Sequence, residues 1–175
     1  MVALIRTVCL LCLVGGAWAQ ERPAEVQIKA AFLYKFGDFV QWPPGSARLD
    51  APFSIGVLGA DEIAAALEPL VAGRTVQGRP IAVRRLKRGE PLAGLQVLFI
   101  GQSESARLAE ILAAAGGQAV LTVTETENAL ASGSMINFVA EAERVRFDIA
   151  LPSAERGQLR ISSRLLAVAR RVLTS

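Results

Sequence analysis

The order of patterned segments predicts an α/β protein: a single-domain three-layer sandwich with a mostly parallel sheet and an antiparallel C-terminal hairpin. Three observations point there. Leu95–Ile100 (LQVLFI) is apolar on both faces, as a strand covered from both sides must be. Strand-like and helix-like periods alternate through the middle of the chain, which is how strands crossing over through helices read. Ser134–Glu141 and Val145–Leu151 are alternating runs joined by the short link Ala142-Glu143-Arg144, which makes a hairpin.

The chain starts with an expected signal peptide, residues 1–19. Arg6 supplies a positive start, Val8–Val14 an apolar core, and Ala17-Trp18-Ala19 a small-x-small cleavage signal before Gln20. The apolar run is too short to span a bilayer, and Cys12 lacks the small residues that precede a lipid-attachment cysteine. Export across a bacterial inner membrane is therefore expected, leaving a soluble periplasmic domain at 20–175. Both cysteines, Cys9 and Cys12, leave with the leader, so neither disulfides nor thiolate chemistry remain. The formal charge drops from +3 to +2, because Arg6 is the leader's one charged residue. The ~155 residues that remain are enough for one domain with a proper core.

The rest is organised around Glu25–Pro44, EVQIKAAFLYKFGDFVQWPP. On a helix, Val26, Ile28, Ala30, Phe32, Leu33, Phe36, Phe39 and Val40 share one broad arc. Gln27, Tyr34, Lys35, Asp38 and Gln41 take the other side. Burying each large side chain is worth roughly 1.5–3 kcal/mol, so the helix is expected in a groove of the domain, stopped by Pro43 and Pro44. Lys29 interrupts the apolar arc, with Glu25 one turn before it. It reads as a lysine that snorkels at the groove edge, or as a buried cation facing a ligand or a partner carboxylate. Gly37 is expected to let another backbone approach closely.

Phe53–Leu58 reads as a buried strand, and a helix follows from Asp61 to the closing Gly73, with Pro69 suggesting a kink or an early stop. Arg79–Leu86 is a short strand amid Arg74, Arg79, Arg84, Arg85, Lys87 and Arg88. Those charges fit an edge strand protected against pairing, or a docking face for an acidic partner or anionic lipid heads. After the central strand, Ser103 can cap a helix Glu104–Ala115, which Gly116-Gly117 ends. Ala119–Val123 is another buried strand, and a threonine-rich turn leads to one helical turn closed by Gly133. Pro152 ends the hairpin. Ser162–Leu173 reads as a last helix, Leu165, Leu166, Val168, Ala169 and Val172 inward, Arg164, Arg170 and Arg171 outward.

The residue inventory argues against an enzyme. There is no histidine, and with the cysteines gone the usual nucleophile–base pairs are missing. Serine–lysine catalysis would need a serine in a nucleophile-elbow context, and none occurs. Glu104/Glu110 and Glu125/Glu127 are spaced like surface charge rather than like metal ligands. Gly56-Val57-Leu58-Gly59 invites a phosphate-loop reading, but it lacks the third glycine, and Asp61 and Glu62 would compete with a bound anion at the helix start. No cofactor and no nucleic acid are expected. Lys29, Ser103, Thr124 and Asn137 could line a small cleft at the carboxyl edge of the sheet.

Three stretches carry a resemblance. Ile28–Pro43 (IKAAFLYKFGDFVQWP) resembles the opening helix of the YfiR family of periplasmic proteins. Ser134–Ala150 (SMINFVAEAERVRFDIA) resembles its late hairpin, and Leu159–Val172 (LRISSRLLAVARRV) its closing helix. The resemblance implies a regulator that represses an inner-membrane diguanylate cyclase by binding its periplasmic sensory domain, lowering cyclic-di-GMP and biofilm growth. It also implies possible sequestration by an OmpA-like outer-membrane lipoprotein, and a homodimer. Disulfides, used by some relatives, are excluded once the leader is removed, and Ala150 stands where the family often has asparagine. Candidate docking residues are Arg84 and Arg85 on the basic strand, and Ser153, Glu155, Arg160 and Arg164 in the C-terminal region. A periplasmic small-ligand sensor is the alternative.

Overall fold

The computed structural model describes residues 21–46, 50–142 and 144–175; the expected leader lies outside them. In chain order the elements are α1 (Glu21–Phe39), β1 (Val40–Gln41), β2 (Phe53–Leu58), α2 (Asp61–Val71), β3 (Thr75–Val76), β4 (Arg79–Leu86) and β5 (Val97–Ile100). A 3-10 turn, Gln102–Arg107, leads into α3 (Leu108–Ala115). There follow β6 (Leu121–Thr124), β7 (Ile136–Glu141), β8 (Arg144–Ala150), α4 (Leu151–Arg156), β9 (Arg160–Ile161), α5 (Ser163–Val168) and β10 (Arg171–Leu173).

An eight-stranded sheet runs β10-β8-β7-β6-β5-β2-β4-β3. β4, β2, β5, β6 and β7 run parallel to one another in turn, β3 lies antiparallel on the outer edge of β4, and β7–β8 is the antiparallel hairpin. The central strand behaves as its double-faced pattern requires. Val97 and Phe99 enter one core with α1 and α2, while Leu98 and Ile100 enter the other with α3. Helices thus cover both faces, giving the three layers.

The α1 arc fills the larger core through its aromatic rings. Phe36 meets Phe147 edge-on, with ring centres 5.2 Å apart, and Phe138 in a stacked arrangement at 5.9 Å. Such pairs add about 0.5–1.5 kcal/mol beyond their buried area. The helix is nevertheless less strictly amphipathic than the sequence suggests. Tyr34 is buried, although it lies off the arc, because α2 covers that side; Ile28, on the arc, is 43% exposed. Gly37 does mark a close approach, but by side chains: a Cβ there would lie 2.8 Å from Val76 and 3.0 Å from the Phe53 ring.

Three local expectations need correction. The first helix stops at Phe39, before the prolines, because Val40 and Gln41 pair antiparallel with Ile161 and Arg160. Ser103 does not cap a helix; it lies within the 3-10 turn Gln102–Arg107, and its hydroxyl donates to the Gly59 carbonyl at 2.7 Å. The last segment is not one helix. Ser162 caps α5 by accepting from Leu165 N, α5 ends at Val168, and Arg171–Leu173 turns extended to pair in parallel with Asp148–Ala150. Pro69 does not bring an early stop: α2 runs through it to Val71. Among the described residues no helix is long and apolar enough to cross a membrane.

Candidate functional site

The carboxyl ends of β2, β5 and β6 come together, as parallel strands joined by crossovers require. Their exits are small and close: a Cβ on Gly101, after β5, would collide with the Gly59 carbonyl after β2. Onto this edge α1 projects Lys29. Its ammonium donates to Glu125 Oε2 at 2.7 Å and also pairs with Glu25. Glu125 Oε1 in turn accepts from the backbone N–H of Gln102 at 3.0 Å. Lys29 and Glu125 side chains are only 12% and 16% exposed. Burial alone would lower the Lys29 pKa, but the hydrogen bonds and charges of Glu125 and Glu25 outweigh it, and the pKa is raised. The lysine is therefore a buried cation facing carboxylates of its own chain.

Beside it, the Thr124 hydroxyl donates to Asn137 Oδ1 at 2.7 Å, with Ser134 Oγ 2.9 Å away. Lys29, Ser103, Thr124 and Asn137 thus do gather at one edge. Each is engaged by the protein itself, so the edge works as a polar clasp between layers. Glu104, just beyond, is 5% exposed and accepts from Arg88 Nε at 3.0 Å. Among the described residues no three acidic, histidine or cysteine side chains assemble as a metal site would need.

The candidate docking residues fall in two separate places. Arg84 and Arg85 lie on β4, next to one rim of the sheet, whereas α4, β9 and α5 adjoin the β8–β10 end. Arg84 is half-buried and donates to the Ala93 carbonyl at 3.3 Å. Arg85 forms a two-pronged pair with Glu68 at 2.8 and 3.0 Å, whose hydrogen bonds hold the Glu68 carboxyl below its ordinary range. Ser153 is buried, while Glu155, Arg160 and Arg164 are exposed on α4, β9 and α5.

One surface was not anticipated. Between α1 and α5 runs an apolar groove of about 350 Å³, lined by Ile28, Ala31, Phe32, Phe39, Leu165 and Val168, with Lys35 at its rim. Val168 is 58% exposed, and it and Ile28 are the two large exposed hydrophobics of the described chain. The signal lay in the width of the α1 arc: a single packing partner cannot cover so broad a stripe.

The sequence profile described as YfiR/HmsC-like matches residues 26–170, from the second turn of α1 to the residue before β10. This chain belongs to the YfiR/HmsC-like family. The family is one of periplasmic regulators of diguanylate cyclase signalling rather than of catalysts. Solved structures add the fold. A conserved domain protein from Vibrio cholerae O1 biovar El Tor is similar at TM-score 0.57 and 12% identity, over 84% of this chain and 60% of that one. The ABC domain from Streptococcus pneumonia in complex with L-Trp is similar at TM-score 0.55 and 11% identity, over 85% of this chain and 60% of that one. This chain therefore spans about three-fifths of the length of each of these structures.

Proposed function

We propose that this protein, exported by removal of residues 1–19, binds the periplasmic sensory domain of an inner-membrane diguanylate cyclase and holds the enzyme inactive. The observation that carries this reading is the apolar α1–α5 groove in a member of a family of regulators. Contiguous exposed apolar surface with a polar rim is what a protein partner needs. Arg164 on α5 and Lys35 on α1 are exposed charges on the same two helices, and they suit an acidic rim on the cyclase. An OmpA-like outer-membrane lipoprotein that sequesters the repressor, and a homodimer, belong to the same reading. Deleting the gene is expected to raise cytoplasmic cyclic-di-GMP and biofilm mass. An unchanged cyclic-di-GMP level, with the protein normally present in the parent strain, would refute repression.

A second reading, a small-ligand sensor, rests on a separate cleft of about 960 Å³ lined by Trp42, Gln77, Leu159 and Arg160. The Trp42 indole N–H is buried without an acceptor among the described residues, a costly arrangement that a ligand or water would relieve. The similar Streptococcus structure holds L-Trp. Thermal-shift screening with amino acids tests this reading, and uniformly null shifts would dismiss it.

A further inference from the structure

A third cavity has a chemical character of its own. It is a recess of about 320 Å³ between the C-terminal end of α3, the turn before β7, and α4. Its apolar wall includes Ala109, Leu112, Ala113 and Met135, and glycines form much of the rest. No aspartate or glutamate lines it.

Of the polar side chains that line it, Gln118 and Ser132 donate to the Ala114 and Asn128 carbonyls, while Ser153, Thr122 and Arg156 keep donors to spare. Ser153 is 5% exposed and its hydroxyl accepts from Arg156 Nη2 at 3.0 Å. Thr122 is 3% exposed and its hydroxyl accepts from Met135 N at 3.1 Å. An oxygen that accepts in this way keeps its own proton free to donate. Neither hydroxyl donates to another protein group among the described residues. Arg156 pairs with no carboxylate there, unlike Arg85, Arg88, Arg107, Arg170 and Arg171. Its guanidinium rests on a serine, so most of its donors are uncommitted.

Two free hydroxyl protons and an uncommitted guanidinium, with no acid nearby, select an anion over a cation or a neutral amide. The alanine, leucine and methionine wall selects a short hydrocarbon body. It disfavours phosphate or sulfate, whose charge would be left against apolar atoms. We infer that this recess binds a small monocarboxylate, its carboxylate on Arg156, Ser153 and Thr122 and its short aliphatic chain along α3. The inference stands apart from the cyclase and the Trp42 cleft, and it survives if either of those fails.

The test is a titration of the 15N-labelled protein with sodium butyrate, and separately with butyramide, at constant ionic strength. Butyrate is expected to give saturable amide shifts at Gly117, Gly133 and Gly157, and butyramide to bind about tenfold more weakly or not at all. Arg156→Ala, which changes an exposed side chain, should weaken butyrate about tenfold. Ala113→Leu, on the exposed face of α3, should abolish binding by filling the recess while keeping the unliganded spectrum dispersed. Absence of butyrate shifts, equal binding of butyramide, shifts centred away from these glycines, or binding untouched by both substitutions would each overturn the assignment.

Discussion

Lys29 on the first helix and Glu125 at the end of β6 meet at 2.7 Å across 96 positions of sequence. The pair fastens the outer helix layer to the carboxyl edge of the sheet. Glu125 is itself anchored by Gln102 N, so α1, β5 and β6 are tied through one carboxylate.

Replacing Lys29 by methionine should therefore cost about 1–2 kcal/mol at neutral pH, because Glu125 keeps its backbone partner but loses its cation in a mostly buried place. The pH dependence has a definite sign. The folded-state pKa of Lys29 is raised, so its contribution is complete below the ordinary lysine value of 10.5 and is lost as pH rises through the folded value. Urea unfolding of wild type and Lys29→Met should differ at pH 7 and converge at strongly alkaline pH. A gap that persists there would mean that the methionine acts by packing alone.

Asp148 is the mirror case at the other end of the sheet. It is 3% exposed on its side chain and is gripped by Arg170 at 2.6 Å and Arg171 at 3.2 Å, which brings the last strand onto β8. The Arg170 hydrogen bonds outweigh burial and hold its carboxyl below the ordinary 3.8. Its contribution is present above that value and disappears as pH falls through the lower folded-state value. Asp148→Asn should cost about 1–3 kcal/mol and should selectively speed amide exchange in Arg171–Leu173. Equal exchange in wild type and variant would show that β10 is held by its ladder alone.

Gly37→Ala isolates packing from propensity. In an open helix the change gains about 0.5–1 kcal/mol. Here the added methyl meets Val76 at 2.8 Å and Phe53 at 3.0 Å, an overpacking that costs about 1–3 kcal/mol. A net loss in thermal or urea stability is expected. A gain would mean that Val76 moves aside freely.

The layers were legible because the strongest sequence signals are local. A strand such as VLFI, apolar on both faces, has few other homes, and the β7–β8 alternation announces its own pairing. The C-terminal error has a physical source. AVARRVL keeps helical spacing, but Arg170 is pulled out of the helix by Asp148, 22 positions earlier. No local pattern carries that contact. The same holds at the carboxyl edge. Lys29 stood out as a charge within an apolar arc, yet its partner lay on a distant strand end. The groove stayed hidden because Ile28 has the spacing of a buried residue, and only the position of the six-residue α5 shows that nothing covers it.

That groove supplies the most direct functional prediction. Ile28 and Val168 are solvent-facing in the isolated chain, so Ile28→Asp and Val168→Asp should change stability by about 0.5 kcal/mol or less, as surface substitutions do. In a complex they would bury a charge at the centre of an apolar contact, and such central positions commonly carry 2 kcal/mol or more, roughly thirtyfold in affinity. The expected phenotype is that of the deletion, raised cyclic-di-GMP, from a folded protein present at normal abundance. Arg85→Ala, near the opposite edge of the sheet and already satisfied by Glu68, should leave repression intact. If the aspartates are silent and Arg85→Ala derepresses, the cyclase docks on the basic strand and the α1–α5 groove has another use.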